Sequence, residues 1–260
     1  MARPRKYDIC LEVTTYYHCV SRCVRRAFLC GHDNYTGESY EHRRKWVEDR
    51  LLSLTRSFTI DICAYAVMSN HCHVVLHVDV EKADALTTAE IVERWHGLFT
   101  GTHLTRQFLA GHPLTDAEIR AVEKQAETWR KNLMSVSWFM RCLNEHIARR
   151  ANQVDDCTGR FLEGRFKCQA LLDESALLAC MAYVDHNPVR ARVANSPEES
   201  KYTSIHRRMA IFRSDIEKPD SANLMPFRSK SQHESTRTLH FSLQDYLEIL
   251  DWTGRAIRDE

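Results

Sequence analysis

Met68–Val78 reads M-S-N-H-C-H-V-V-L-H-V, and the fold turns on how this stretch pairs with its neighbours. Thr59–Val67 before it and His71–Val80 within and after it are both β-rich runs, joined by Met68-Ser69-Asn70, a connection of hairpin length. In a strand, residues i and i+2 point to the same face. His71 and His73 therefore project together, and Cys72 points the other way, into the core or under a helix. His77 shares their face but lies roughly 13 Å beyond His73, too far for a common ion. By itself an H-x-H pair specifies little, because exposed or satisfied strand histidines are common. An ordinary strand, a zinc site and a metal held for chemistry all stay open at this point.

Working outward, Thr14–Arg22 (T-T-Y-Y-H-C-V-S-R) is rich in β-branched and aromatic residues and reads as a first strand. Ser39–Leu54 has helical spacing, with Trp46, Val47, Leu51 and Leu54 on one side. Thr88–Phe99 reads as a helix capped by Thr87 or Thr88. Residues 101–133 change character: L-T-D-A-E at Leu114–Glu118 resembles a helix start, followed by mostly charged helix formers. This predicts a helical insert on the outside of the core, bounded at about 101–135. Ser137–Asn152 is an amphipathic helix carrying Phe139, Cys142, Leu143, His146 and Ile147 at helical spacing. In Gly164–Leu172, Phe166, Cys168 and Ala170 alternate with Lys167 and Gln169, the pattern of a half-buried strand. Asp173 caps a helix from Glu174 to about His186, which Pro188 is expected to stop. A polar tract, Asp215–Arg237, precedes a short apolar helix around Leu243–Trp252 that reads as a docking element. The order predicts an α+β fold: a ferredoxin-like antiparallel sheet with helices on one face, a helical insert and a C-terminal extension.

Composition sets the bounds. At 260 residues with 43% hydrophobic residues, the chain suits one large domain or one domain with additions. A net charge of +1 with 27% charged residues excludes a uniformly basic nucleic-acid coat but leaves room for local basic patches. No apolar run approaches the roughly 20 residues needed to cross a bilayer, so no membrane partner is expected. The start, M-A-R-P-R-K-Y-D, lacks the apolar stretch of a signal peptide, so a cytoplasmic location is expected and the ten cysteines should be thiols. The closest pair, Cys19 and Cys23, is C-x-x-x-C, and C-x-x-C does not occur, which argues against a zinc-stabilised structural domain.

A second motif lies far along the chain, A-Y-V-D-H-N-P-V-R at Ala182–Arg190. Tyr183 and Asn187 are four apart and share one face of the helix. Asn187 sits toward its C-terminal end, where the dipole favours a cation. A core aromatic followed by an Asn-Pro helix stop would give the same letters.

Together, M-x-N-H-x-H before an apolar strand and a distant Y-x-x-x-N-P-V resemble the REP-associated tyrosine transposases, a branch of the single-tyrosine HUH transposases. M-A-R-P at the start, Y-H-C-V-S-R at Tyr17–Arg22, G-R-F-L-E-G-R-F-K at Gly159–Lys167 and Y-V-D-H-N-P-V-R extend the resemblance over about residues 1–208. Ser69 stands where that family often has proline, Cys72 where it has an aromatic or aliphatic residue, and Cys23 where glycine is common. None of these removes a ligand or the nucleophile, and a buried cysteine packs as a small hydrophobe.

The resemblance implies an HUH endonuclease core at 1–208; it does not account for the insert or for the tail at 209–260, which reads from its own sequence as a linker with a docking helix. The resemblance also implies His71, His73 and Asn187 as ligands of a divalent metal, Mg²⁺ or Mn²⁺, and Tyr183 as the nucleophile. Those residue types suit the chemistry. Two imidazoles and an amide oxygen leave coordination positions open for a phosphate oxygen and water. A tyrosine hydroxyl attacks phosphorus poorly unless helped. The implied partner is single-stranded or hairpin DNA, cut beside hairpin-forming repeats to leave a 5′-phosphotyrosine. Arg22, Arg25, Arg26, Arg160, Arg165, Lys167, Arg190 and Arg192 are candidate phosphate contacts, and each is otherwise part of a solvated face. Tyr17, Phe161 and Phe166 are candidates for stacking on bases or for core packing. The competing function is a non-cleaving regulator that binds DNA or RNA hairpins. The insert and tail would block a dimer face, so a monomer is expected.

Overall fold

Tyr16–Arg22 alternates partly exposed with buried residues, the signature of a strand with one face in a core, and forms β1. There follow α1 (His42–Leu54), β2 (Ile60–Val67), β3 (His71–Val78), α2 (Val80–Ala85), α3 (Thr88–His96), α4 (His103–Leu109), α5 (Asp116–Leu133) and α6 (Val136–Val154). The chain continues with β4 (Lys167–Leu171), α7 (Glu174–Arg190), α8 (Ser204–Arg213) and α9 (Leu243–Arg258). The computed structural model describes residues 9–24, 29–33, 35, 37–213, 224–228 and 238–258. Arg25, Arg26, the M-A-R-P start and most of the Asp215–Arg237 tract lie outside the described residues.

The strands form one four-stranded sheet in the order β2-β3-β1-β4, every neighbouring pair antiparallel. The α+β class and antiparallel sheet are as the sequence predicts. The helices differ, since they cover both faces. β2 and β3 are buried almost throughout, so each of their faces needs a cover. Val74, Leu76 and Val78 join the larger core with α1, α3, α5 and α6. Val75, Ala64 and Ala66 join a second core with Leu177, Met181 and Val184 of α7, Ile205 of α8 and Tyr246 and Leu250 of α9.

Two further differences have simple causes. The 101–133 segment is not confined to the outside, because Val122, Ala126, Trp129 and Leu133 form an apolar stripe on α5 that enters the larger core. Thr115 starts α5 with a capping box that includes Glu118. Pro188 does not stop α7, which runs on to Arg190. A proline in a last turn forfeits a single backbone bond, and the chain leaves the helix at Arg192, whose φ is +56°. The boundary expected at residue 208 falls inside α8.

Candidate active site

The β1–β3 register sets Arg22 opposite His71 and Val20 opposite His73. Cys72, on the other face, is 4% exposed in the larger core. His77 lies up the strand, with Nδ1 3.4 Å from an Asp61 oxygen and its ring against Tyr16. The site face of β3 thus offers His71 and His73.

α7 crosses this face. Its Ala-, Leu- and Met-rich sequence favours a helix, and Asp173 caps it by accepting from the Ala176 N–H at 2.7 Å. Leu177, Met181 and Val184 are buried toward the sheet, which turns Tyr183 and Asn187 along the flank above β3. Rotation is fixed from behind. The fully buried Asp185 carboxylate accepts from Ser204 Oγ (2.6 Å), the Ile205 N–H (3.1 Å) and the Tyr246 hydroxyl (2.5 Å). Burial raises its pKa, while these donors and Arg208 work against that shift. His186 Nε2 donates to the Leu250 carbonyl at 2.8 Å. A Cβ on Gly254 would sit 3.1 Å from the His186 ring, so the close approach of α9 to α7 favours glycine there. Asp185 and His186 thus hold the helix in place.

The four residues come together. The His73 ring centroid is 4.8 Å from that of His71 and 5.7 Å from that of Tyr183. Asn187 Nδ2 lies 3.3 Å from His73 Nε2. Tyr183 is 43% exposed, open to a large substrate, whereas His73 is 5% exposed. Burial, then His71, His18 and Arg22, push the His73 pKa down to about 3. Burial and Arg22 lower that of His71. Both imidazoles are therefore neutral at pH 7, the form that ligates metals.

Their tautomers follow from their partners. His71 Nδ1 is 2.6 Å from Asn70 Oδ1, an acceptor, so it carries the proton and leaves the Nε2 lone pair free. His73 Nδ1 meets His18 Nε2 at 2.9 Å. The donor set fits a divalent cation: two neutral imidazoles and an amide, which by a half-turn offers Oδ1 in place of Nδ2. Among the described residues no group of three or more His, Cys, Asp or Glu side chains is arranged to hold a metal. A cation here would need the Asn187 amide as its third protein donor.

The described candidate cations occupy several places. The Arg190 guanidinium lies 5.7 Å from the Tyr183 ring centre, and Arg22 flanks His71. Lys167 pairs with Val20 on the site face, two strands or roughly 10 Å from His73. Arg160 and Arg165 line a groove of about 580 Å³ against α6, with Arg141, Asn144 and Glu145, and Arg165 also lines a smaller pocket with Arg22 and Lys167. Arg192 is exposed beyond α7. Tyr17, Phe161 and Phe166 are 0%, 5% and 9% exposed in the larger core, so they are packing residues and do not present faces for bases.

The residue that the sequence reading left without a role is His18. Its parity along β1 places it on the His71 face, but only the β1–β3 register brings it to His73.

No helix among the described residues is long and apolar enough to cross a membrane. The fold and site define an α+β protein with a histidine pair on a central strand and a tyrosine on a crossing helix. No protein-family model matches the chain, and no curated protein matches it. Among solved structures, a REP-associated tyrosine transposase bound to a REP hairpin is similar, with 13% identity, a TM-score of 0.47, and coverage of 81% of this chain and 86% of that one.

Proposed function

We propose that the chain is a metal-dependent single-strand DNA endonuclease and strand transferase that works through a 5′-phosphotyrosine at Tyr183. The observation that supports this is the meeting of α7 with β3, which gathers an exposed tyrosine, an amide and two neutral imidazoles within contact distance. The substrate class, hairpin-forming repeats, rests on the motif resemblance of M-S-N-H-C-H and Y-V-D-H-N-P-V-R. In this reading residues 1–208 are the catalytic core, with a helical insert at about 101–135, and 209–260 form a docking extension.

His71, His73 and Asn187 would hold Mg²⁺ or Mn²⁺, which when bound polarises a phosphate and stabilises charge in an in-line displacement. The Tyr183 oxygen attacks phosphorus, the P–O3′ bond breaks, and the phenolic proton is lost to water. The 3′ oxygen leaves as a hydroxyl, taking a proton from solvent. The phosphotyrosine conserves the energy of the cleaved bond for rejoining to a second 3′-hydroxyl. Arg190 beside the Tyr183 ring, and Arg22 and Lys167 on the same sheet face, are suited to hold the phosphates flanking the cut.

The test uses labelled single-stranded hairpin oligonucleotides with Mn²⁺, comparing the natural chain with His71→Ala and with added chelator. Site-specific cleavage that both changes abolish is the expected result. Hairpin binding with no cleavage across a range of flanking sequences would instead identify a non-cleaving hairpin-binding regulator.

A further inference from the structure

We infer that His18 is a positioning residue for the metal centre: its Nε2 accepts a hydrogen bond from the Nδ1–H of His73 and so keeps the His73 Nε2 lone pair turned toward Asn187. This rests on the metal-site reading given above and adds a member to that site from a third element, β1.

The geometry begins with the sheet. His18 pairs with Val75 and His73 with Val20, so the two histidines are diagonal neighbours on one face. Their rings lie 11° from parallel with centroids 5.1 Å apart, and His18 Nε2 is 2.9 Å from His73 Nδ1. A ligating histidine coordinates through the nitrogen without the proton, and the partner of its other nitrogen decides which one that is. With the Asn187 amide turned as it is here, two contacts allow one assignment. Asn187 Nδ2 donates, so His73 Nε2 accepts and holds the lone pair. His73 Nδ1 must carry the proton and donate a hydrogen bond to His18 Nε2. The proton of His18 itself therefore sits on its Nδ1.

His18 faces the rear nitrogen of His73, away from Nε2, so it acts through His73 and is not a ligand. Asn70 Oδ1 fills the same place behind His71. The two candidate ligands are thus oriented by neighbours of different chemistry, one an adjacent amide and one a ring from the next strand. With only one of the two imidazoles relying on β1, loss of His18 should weaken metal binding without abolishing it. Packing offers a competing role, because the His18 ring also meets the Tyr183 ring edge-on at 6.4 Å.

The experiment separates the two roles. Mn²⁺ affinity of the full chain without DNA is measured from the electron paramagnetic resonance signal of free Mn²⁺, for the natural chain, His18→Phe, His18→Gln and His73→Ala. His18→Phe keeps a ring but loses the acceptor; His18→Gln keeps an acceptor at the reach of Nε2. The expected result is Mn²⁺ binding about 10–100-fold weaker in His18→Phe, restored to within a few-fold by His18→Gln. Binding as tight in His18→Phe as in the natural chain, with His73→Ala impaired, overturns the role of His18 and leaves the metal site standing. Failure of Gln to restore what Phe loses also overturns it. Equal, absent binding in the natural chain and His73→Ala overturns the metal site itself. A measurement on the unaltered protein stands apart from any folding defect: ¹⁵N spectra of the metal-free chain should show His73 protonated at Nδ1. Protonation at Nε2 contradicts the inference.

Discussion

His73 is 5% exposed and has His71, His18 and Arg22 around it, so it resists taking a proton even in acid. In the unfolded chain its pKa returns to about 6.5. Below that value the unfolded state binds a proton that the metal-free folded state refuses down to about pH 3. Stability linked to His73 is complete above about pH 6.5 and is lost as pH falls toward 3, by at most about 1.4 kcal/mol per pH unit. Urea unfolding of the metal-free protein at pH 7 and pH 5 should show a smaller loss in His73→Asn than in the natural chain. Equal losses would contradict the neutral state assigned to this ring. At this scale strand parity was enough to send Cys72 to the core, and the rise along the strand to separate His77 from the pair. It could not reach His18, whose role depends on a register between strands fifty residues apart. Nor could it decide Tyr17, Phe161 and Phe166, because stacking and packing use the same aromatic letters and only burial separates them.

At the scale of elements, α7 carries the proposed nucleophile and third ligand, and α9 fixes its position. The Tyr246 hydroxyl at 2.5 Å from the buried Asp185 carboxylate is the central tie. Tyr246→Phe removes the donor and leaves the carboxylate less satisfied, at a cost of about 1–3 kcal/mol in urea unfolding. Hydrogen exchange in α7 should accelerate in the same variant, and unchanged protection would show that α9 does not brace it. The four strands and the helices α1, α3, α6 and α7 were legible from periodicity and turn residues to within a few positions, whereas α2 and α8 were not. The α5 stripe was harder to see, since Val122, Ala126, Trp129 and Leu133 are scattered among charges. The passage of α7 through Pro188 was not legible either, because proline near a helix end reads as a stop whenever the helix can stop there.

Over the whole molecule, the order of strands and helices in the sequence implied the sheet, but not the cover on its second face. That cover comes partly from α8 and α9, late elements whose sequences do not say which side they will take. The cations likewise gather beside Tyr183 and in the groove by α6, with Arg165 lining both that groove and a pocket shared with Arg22 and Lys167, an arrangement that no spacing along the chain reveals. If the groove holds the stem of a hairpin, Arg160→Glu with Arg165→Glu should weaken binding and lower the slope of log K against log salt by about 1 to 2. An unchanged slope would remove the groove from the DNA path. The central claim is that Tyr183 makes a covalent bond to DNA. Its most direct measurement is mass spectrometry of the peptide containing Tyr183 after incubation with a single-stranded hairpin oligonucleotide and Mn²⁺, followed by nuclease digestion. The expected result is a nucleotide 5′-phosphate attached to Tyr183 and absent from Tyr183→Phe; specific cleavage with the adduct on another residue, or undiminished in Tyr183→Phe, would contradict it.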